Sequence, residues 1–414
     1  MVNDYTNSLI FGKNPTEGIV SIEAQDGESI LYLHDGSTKR IKNFYYLLAP
    51  LQYDTEFKRL AGNLWYKYIK FYKTAKEYWD DYQKFKNLRK DFYSISDPSD
   101  AAMSLFGITL FKGLKVSDIS VLSFDMETNG LVKNSNSKVF MISNTFRSKL
   151  GVITRRVFRE DHYNNNAEMI REWSAWFCAM DPDVLVGHNI IGYDIPFMRH
   201  CLKWESPDEE LLLGRDGSSA VFKSRPTDYR VSGSEKWSFF NIKIHGRHII
   251  DTMFLATKYD FARKYPSWGL KPIIAYEVAQ LEKKPKKEWS EDEKKFYQRL
   301  THGGNRQFYD SSKIRDNWED LEEREKIVKY GEGDSEDSLT LFDLMIPSLF
   351  YYTQSIPKTF QNVINSATGG QINAFLIRSY LQEKHSIPRF SESRPVTGGI
   401  SFGSPGLYKN ANKV

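Results

Sequence analysis

Three short stretches carry acids at spacings that could do chemistry. In "VLSFDMETNGL", residues 121–131, Asp125 and Glu127 stand two apart where the apolar run of Val121, Leu122 and Phe124 ends. In a strand, positions two apart share a face. Two carboxylates side by side repel unless a cation or a proton lies between them, so the pair reads as a cradle for a divalent metal. Spacing alone discriminates little, because D-x-E recurs at Asp26/Glu28, Asp208/Glu210, Asp320/Glu322 and Asp334/Glu336. In "VGHNIIGYDIPFM", Asn189 and Asp194 follow a strand-like run, and Asp194 opens a helix carrying Ile195, Phe197 and Met198, where the dipole favours an acid. In "VKYGEGDSEDSLTLF", Tyr330 and Asp334 are four apart, neighbours on one face of a helix.

The flanking patterns set the elements that must position these groups. "ISVLSFD", "KVFMISNTF" and "GVITRRVF" are apolar-rich runs joined by turn-forming residues, a meander of three strands. "NNAEMIREWSAWFCAM" puts Met169, Ile170, Trp173, Trp176, Phe177 and Met180 on one helical face and is followed by the strand "VLVGHN". Three antiparallel strands, a helix and another strand is the order of a ribonuclease-H-like fold. Upstream, "GIVSIEA" and "SILYLHDG" alternate as strands do, and the proline-free, aromatic- and lysine-rich run from Leu60 to Tyr93 reads as one helix. Its rings are read as core and its lysines as solvated, in preference to a single-strand-binding surface. "TDYRVSGSEKWSFFNIKIHG" reads as a β-hairpin about Ser232-Gly233-Ser234, and "KKPKKEW" as an exposed basic loop.

Composition bounds the class. A chain of 414 residues favours more than one domain. No uninterrupted apolar stretch of about 18 residues is present to span a bilayer, and the N-terminus lacks the pattern of a secretory signal, so no membrane partner is expected. With Cys178 and Cys201 as its only cysteines, the chain reads as soluble, reduced and intracellular. The charge of +4, from 57 basic and 53 acidic residues, neither demands nor excludes nucleic acid.

Taken together, the order D-x-E, N-x4-D, Y-x3-D resembles the exonuclease motif set of the DEDD superfamily, and its surroundings resemble family B replicative DNA polymerases, the large-phage branch above all. "IFGKNPTEGIVSIE" is similar to that family's N-terminal domain; "FDMETNG", "VGHNIIGYDIPFM" and "YGEGDSEDSLTLF" are similar to its three exonuclease motifs. "GRHIIDTMFLATKY" and "YPSWGLKPIIAYE" resemble elements between the last two. The resemblance implies that Asp125, Glu127, Asp194 and Asp334 hold two Mg2+ or Mn2+ ions about 4 Å apart, that Tyr330 orients the attacking water, and that Asn189 contacts the substrate strand. Asp251 is left out as structural. Gly331 and Gly333 each disfavour the helix of the third motif by about 1 kcal/mol relative to alanine. Asp337 is the competing acid there, but it breaks the Y-x3-D spacing, and if the helix is continuous it lies about 10 Å of axial rise beyond Tyr330. Asp337→Ala should then leave most of the activity that Asp334→Ala removes.

The expected architecture is α/β: an α+β N-terminal domain over 1–112, a ribonuclease-H-like exonuclease domain with a mixed sheet over 113–345 and a hairpin at about 228–245, a return to the N-terminal domain over 346–390, and the start of a palm at 391–414. Polymerase palm, fingers and thumb motifs are lacking. The resemblance therefore implies the 3'-to-5' proofreading portion of a DNA polymerase acting on single-stranded DNA or a primer 3' end. A second polypeptide or a missing C-terminal region would carry polymerisation, with a sliding clamp as a further partner and the host cytoplasm as location if the chain is phage-encoded. The alternatives are a non-catalytic DNA-binding or docking subunit and a free-standing DEDD nuclease.

Overall fold

The structure is a computed structural model and describes residues 5–232 and 235–389. After a one-turn helix, α1 (Ser8–Phe11), the chain forms an antiparallel meander of β1 (Ile19–Ala24), β2 (Glu28–Leu33) and β3 (Thr38–Lys42). A second small sheet has the order β4-β6-β5, from β4 (Tyr45–Ala49), β5 (Lys58–Arg59) and β6 (Tyr68–Tyr72).

The single helix expected from Leu60 to Tyr93 is thus right only over Ala75–Asn87, and wrong before and after it. Lys70, read as a solvated helix lysine, is a buried strand residue held by Asp54 at 2.9 Å, Asp81 at 2.7 Å and Glu56 at 2.6 Å. Tyr, Phe and Ile favour a pleated half-buried surface as much as a helix, and no breaker in the run separates the two readings. The helix α2 (Ala75–Asn87) begins only after Thr74, which forms a capping box with Glu77. Its Tyr78 and Phe85 pack with Tyr45, Leu47 and Tyr72, but Trp65, Phe71 and Trp79 of the same run are exposed, so the expectation that the rings are core holds for only part of them.

The helix α3 (Pro98–Phe106) starts on an Asp97 cap and ends at Gly107 in the left-handed conformation. Beyond it come β7 (Val121–Thr128), β8 (Val139–Arg147), β9 (Ile153–Arg159), α4 (Asn166–Met180), β10 (Val184–Gly187) and α5 (Asp194–Glu205), as the periodicities indicate. Next, the short pair β11 (Val221–Phe222) and β14 (Ile242–Lys243) flanks the hairpin arms β12 (Thr227–Ser232) and β13 (Glu235–Phe239). The turn residues 233–234 lie outside the described residues.

With β15 (His248–Asp251), a five-stranded sheet of order β15-β10-β7-β8-β9 is complete, parallel between β15, β10 and β7 and antiparallel between β7, β8 and β9. This is the mixed sheet of a ribonuclease-H-like fold. Strand alternation assigns its two faces. Phe124 and Asn144 meet Trp173 of α4, the indole N–H donating to Asn144 Oδ1 at 2.8 Å, while Ser143 and Thr145 turn to the opposite side.

The remaining helices are α6 (Thr252–Tyr259), α7 (Leu270–Glu282), α8 (Glu291–Leu300), α9 (Ile314–Asn317), α10 (Leu321–Met345), α11 (Pro347–Thr353), α12 (Phe360–Asn365) and α13 (Thr368–Gln382). The last of them packs on α3, and buried Arg378 donates to the carbonyls of Leu9 and Ile10 at 2.8 Å. Residues 391–414, expected to lead into a palm, lie outside the described residues.

Candidate active site

The long helix α10 lies across β7 and β8 on the face that carries Asp125 and Glu127. It is unbroken through Gly331 and Gly333. Gly331 allows the approach: a Cβ there would stand 2.8 Å from Met141 Cε and 3.7 Å from Glu127 Cγ, and Ser143 Oγ donates to the Gly331 carbonyl at 2.7 Å. The residue that weakens the helix locally is what lets it reach the sheet. Gly331→Ala should therefore lower the nuclease rate despite alanine's better helix propensity of about 1 kcal/mol. Shortening Met141 in the same chain should recover part of that loss, read from digestion rates alongside melting curves.

This docking brings oxygen atoms of Asp125, Glu127 and Asp334 within 4.8 Å of one another, the one such acid cluster among the described residues. Asp194, the first residue of α5 and 4% exposed, stands beside that trio rather than in it, with the Met126 N–H directed at its carboxylate. Burial raises the pKa of all three acids contributed by the sheet and α5. Asp125 is pushed up to about 7 by burial, partly offset by Lys271 and reinforced by Asp337. Glu127 rises well above the usual range through burial and the charge of Asp125, as does Asp194 through burial and the charges of Asp125 and Asp251. Crowded hard oxygens that resist shared ionisation match what a Mg2+-type ion requires, since its charge would reverse the penalty. Tyr330 is buried beside them, its hydroxyl held protonated by burial and by the charges of Glu127 and Asp125.

The loop before α5 is fixed from behind. Buried Asp251 accepts from the N–H groups of Asn189 at 2.8 Å, Ile191 at 3.1 Å and Met253 at 3.0 Å, a structural task in keeping with its exclusion from the acid set. Asn189 takes the left-handed conformation at φ 65°, which asparagine tolerates better than most residues. His188 has both ring nitrogens engaged, by Thr252 Oγ1 at 2.9 Å and the Trp268 carbonyl at 2.7 Å, and burial pushes it down to about 4. It is a neutral brace. Tyr193 ties the same loop to the end of β7 through the Gly130 carbonyl at 2.8 Å.

Two cations that the sequence did not single out complete the cluster. Lys271 of α7 forms an ion pair with Asp334 and lies 4.5 Å over the Tyr330 ring; burial and the neighbouring Arg306 push it down to about 8. Arg306 bridges Asp334, at 3.0 Å, and Asp337. Asp337 is fully buried and also meets His302 Nε2 at 2.9 Å, so it anchors cations instead of joining the acid trio. This changes one expectation: removing Asp337 takes a buried partner from Arg306 and from His302, and its cost falls first on stability. Neither Lys271 nor Arg306 bears a spacing relation to the acids, so no sequence pattern marks them.

On this ribonuclease-H-like sheet, acids toward the C-terminal end of β7, at the start of α5 and on a helix laid across it are placed to hold divalent metal. Residues 110–273 match the family described as DNA polymerase family B, exonuclease domain. The chain is similar to a DNA polymerase delta catalytic subunit of Dictyostelium discoideum, 26% identical over 32% of this chain and 14% of that protein. It is also similar to DNA polymerase II of Escherichia coli, 30% identical over 23% of this chain and 11% of that one. Among solved structures, the family B DNA polymerase of Pyrobaculum calidifontis shares the fold at a TM-score of 0.60 and 15% identity, over 90% of this chain and 51% of that chain. This chain therefore carries, over residues 110–273, an exonuclease domain of the DNA polymerase family B kind. It spans about half of that archaeal chain and smaller shares of the two curated relatives.

Proposed function

We propose that this chain is the 3'-to-5' proofreading exonuclease of a family B DNA polymerase, hydrolysing the 3'-terminal phosphodiester of single-stranded DNA. The observation that carries this reading is the convergence of Asp125, Glu127 and Asp334 from a strand and a crossing helix within 4.8 Å. Asp125, Glu127, Asp194 and Asp334 are the residues that would hold two divalent ions, Mg2+ or Mn2+. Bound there, the ions would supply Lewis acidity at the attacking water and at the departing 3'-oxygen.

The chain's own groups do the rest. Tyr330, kept as a neutral phenol, orients the water through its hydroxyl, and Asn189 contacts the substrate strand from its fixed loop. Lys271 and Arg306 offset the charge of Asp334 and keep the site tolerant of incoming phosphates. Tyr330→Phe removes one orienting hydrogen bond and should slow single-turnover digestion far less than loss of a metal-holding acid, with metal affinity by calorimetry unchanged.

Polymerisation is assigned to palm, fingers and thumb outside this sequence, in the same or a second polypeptide, with a sliding clamp as a further partner. The domain limits proposed are 1–112, 113–345 and 346–390, in an intracellular protein. No helix among the described residues is long and apolar enough to cross a membrane. Release of nucleotides from the labelled 3' end of single-stranded DNA, dependent on Mg2+ and stopped by EDTA, tests the reading; a DNA-binding or docking subunit would bind without cleaving.

A further inference from the structure

We infer that a groove on the sheet β4-β6-β5, lined by none of the clustered acids, docks a short acidic protein segment through large apolar anchors. Strand alternation places Tyr46, Leu48 and Ile69 on the face covered by α3 and α13, where they pack with Ala101, Ile377 and Leu381. Phe44 and Phe71 extend that same face one step farther along the strands. There both covering helices stop, α3 at Phe106 and α13 at Gln382. The result is a cavity of about 630 Å³ floored by Phe44, Ile69, Phe71, Leu105, Phe106 and Leu381. Phe71 is 38% exposed, and its ring meets Phe44 edge-on at 6.0 Å. An open groove of this volume falls in the size range of ligand-holding clefts.

Its rim decides the charge of the occupant. Lys13 is satisfied by Glu383 at 2.6 Å and by the last carbonyl of α13 at 3.2 Å. Lys58, Arg59 and Lys384 also line the groove, and among the described residues none of them has a carboxylate partner. Arg59 meets only the neutral oxygens of Tyr68 and Asn63, each at 3.4 Å. Three uncompensated cations around an apolar floor complement carboxylates flanking apolar side chains.

The floor decides the class. A nucleic acid could use the cations and stack a base on the exposed ring of Phe71, but a base seated in the groove would bury its polar edges against the carbon of Ile69, Leu105, Leu381, Phe44 and Phe106, at a cost no hydrogen bond offsets. The one amide lining the floor, Gln382, already accepts the Lys13 N–H at 3.2 Å. Leu or Phe anchors bring no such penalty.

The test is fluorescence anisotropy on the whole chain, with a short labelled peptide in which a Phe and a Leu stand between runs of aspartates. The peptide should bind, and affinity should fall at least about tenfold in Phe71→Glu and in the double variant Lys58→Glu, Arg59→Glu. Replacing the two anchors by alanine should weaken it as much. Added salt should weaken binding to the parent protein more than to the double variant. Digestion of single-stranded DNA should be unchanged in both variants, whose exposed substitutions are checked by melting curves. The proposal is overturned if the peptide does not bind, if neither variant weakens it, or if the anchors are dispensable. Oligothymidylate binding lost in the same variants would assign the groove to nucleic acid instead, and concentration-dependent self-association lost in Phe71→Glu would assign it to a second copy of this chain.

Discussion

Replacing Asp125 by asparagine is expected to reduce exonuclease activity by orders of magnitude while raising the melting temperature of the metal-free protein at pH 8. The first half follows from geometry, because Asp125 belongs to the three-acid cluster and its loss removes or misplaces a metal ion. The second half follows from linkage. Burial pushes the Asp125 carboxyl up to about 7, whereas in the unfolded chain it titrates near 3.9. A group whose pKa is raised on folding contributes stability below its unfolded value and loses that contribution as pH rises through its folded value. At pH 8 the metal-free protein therefore carries a half-buried charge that it does not carry at pH 5, and its melting temperature should fall over that window. An asparagine of the same shape does not titrate, so the variant should lose the share of this pH dependence due to Asp125, while Glu127 and Asp194 keep theirs, and melt higher than the parent at pH 8. Adding Mg2+ should stabilise the parent and leave the variant nearly unmoved. Equal melting temperatures for parent and variant from pH 5 to pH 8 would show that the carboxyl is not under strain.

The second large effect separates two acids three residues apart on α10. Asp334→Ala should abolish digestion, since Asp334 supplies the helix's oxygen to the cluster. Asp337→Ala should instead cost about 2 kcal/mol of stability, because it leaves Arg306 and His302 short of a buried hydrogen-bond partner. Activity of the surviving folded fraction should be partly retained, as Arg306 keeps its contact with Asp334 at 3.0 Å. Denaturant titration and single-turnover digestion of both variants distinguish the roles. Loss of activity without loss of stability in Asp337→Ala, with Asp334→Ala still active, would move the third acid to 337.

Legibility followed the range of each interaction. The strand β7, the strand–loop–helix bearing Asp194 and the helix bearing Tyr330 and Asp334 were readable because local periodicity positions them. The other D-x-E pairs show why the motif needs its partners: Asp320 caps α10 by accepting from Glu322 and Glu323 N–H at 2.9 Å, and Asp26 accepts the Ala75 N–H at 2.7 Å. Aromatic residues blurred the N-terminal reading, since a run such as "YIKFY" suits a strand as well as a helix until the Thr74 cap is seen. Lys271 and Arg306 were unreadable for another reason. They come from a helix and a loop whose approach to α10 is set by tertiary packing, and nothing in their neighbours' spacing encodes it. Gly331 was read as a weakness of the helix because its local cost is visible in sequence, whereas its close packing on the tip of Met141 is not.

Digestion of single-stranded DNA labelled separately at its two ends tests the central claim most directly. With Mg2+ present, a label at the 3' end should be released as mononucleotide at once, while a 5' label should pass through a ladder of shortening products; EDTA or Asp125→Asn should stop both. Release beginning at the 5' end, cleavage that persists without divalent metal, or full activity in Asp125→Asn would contradict the account.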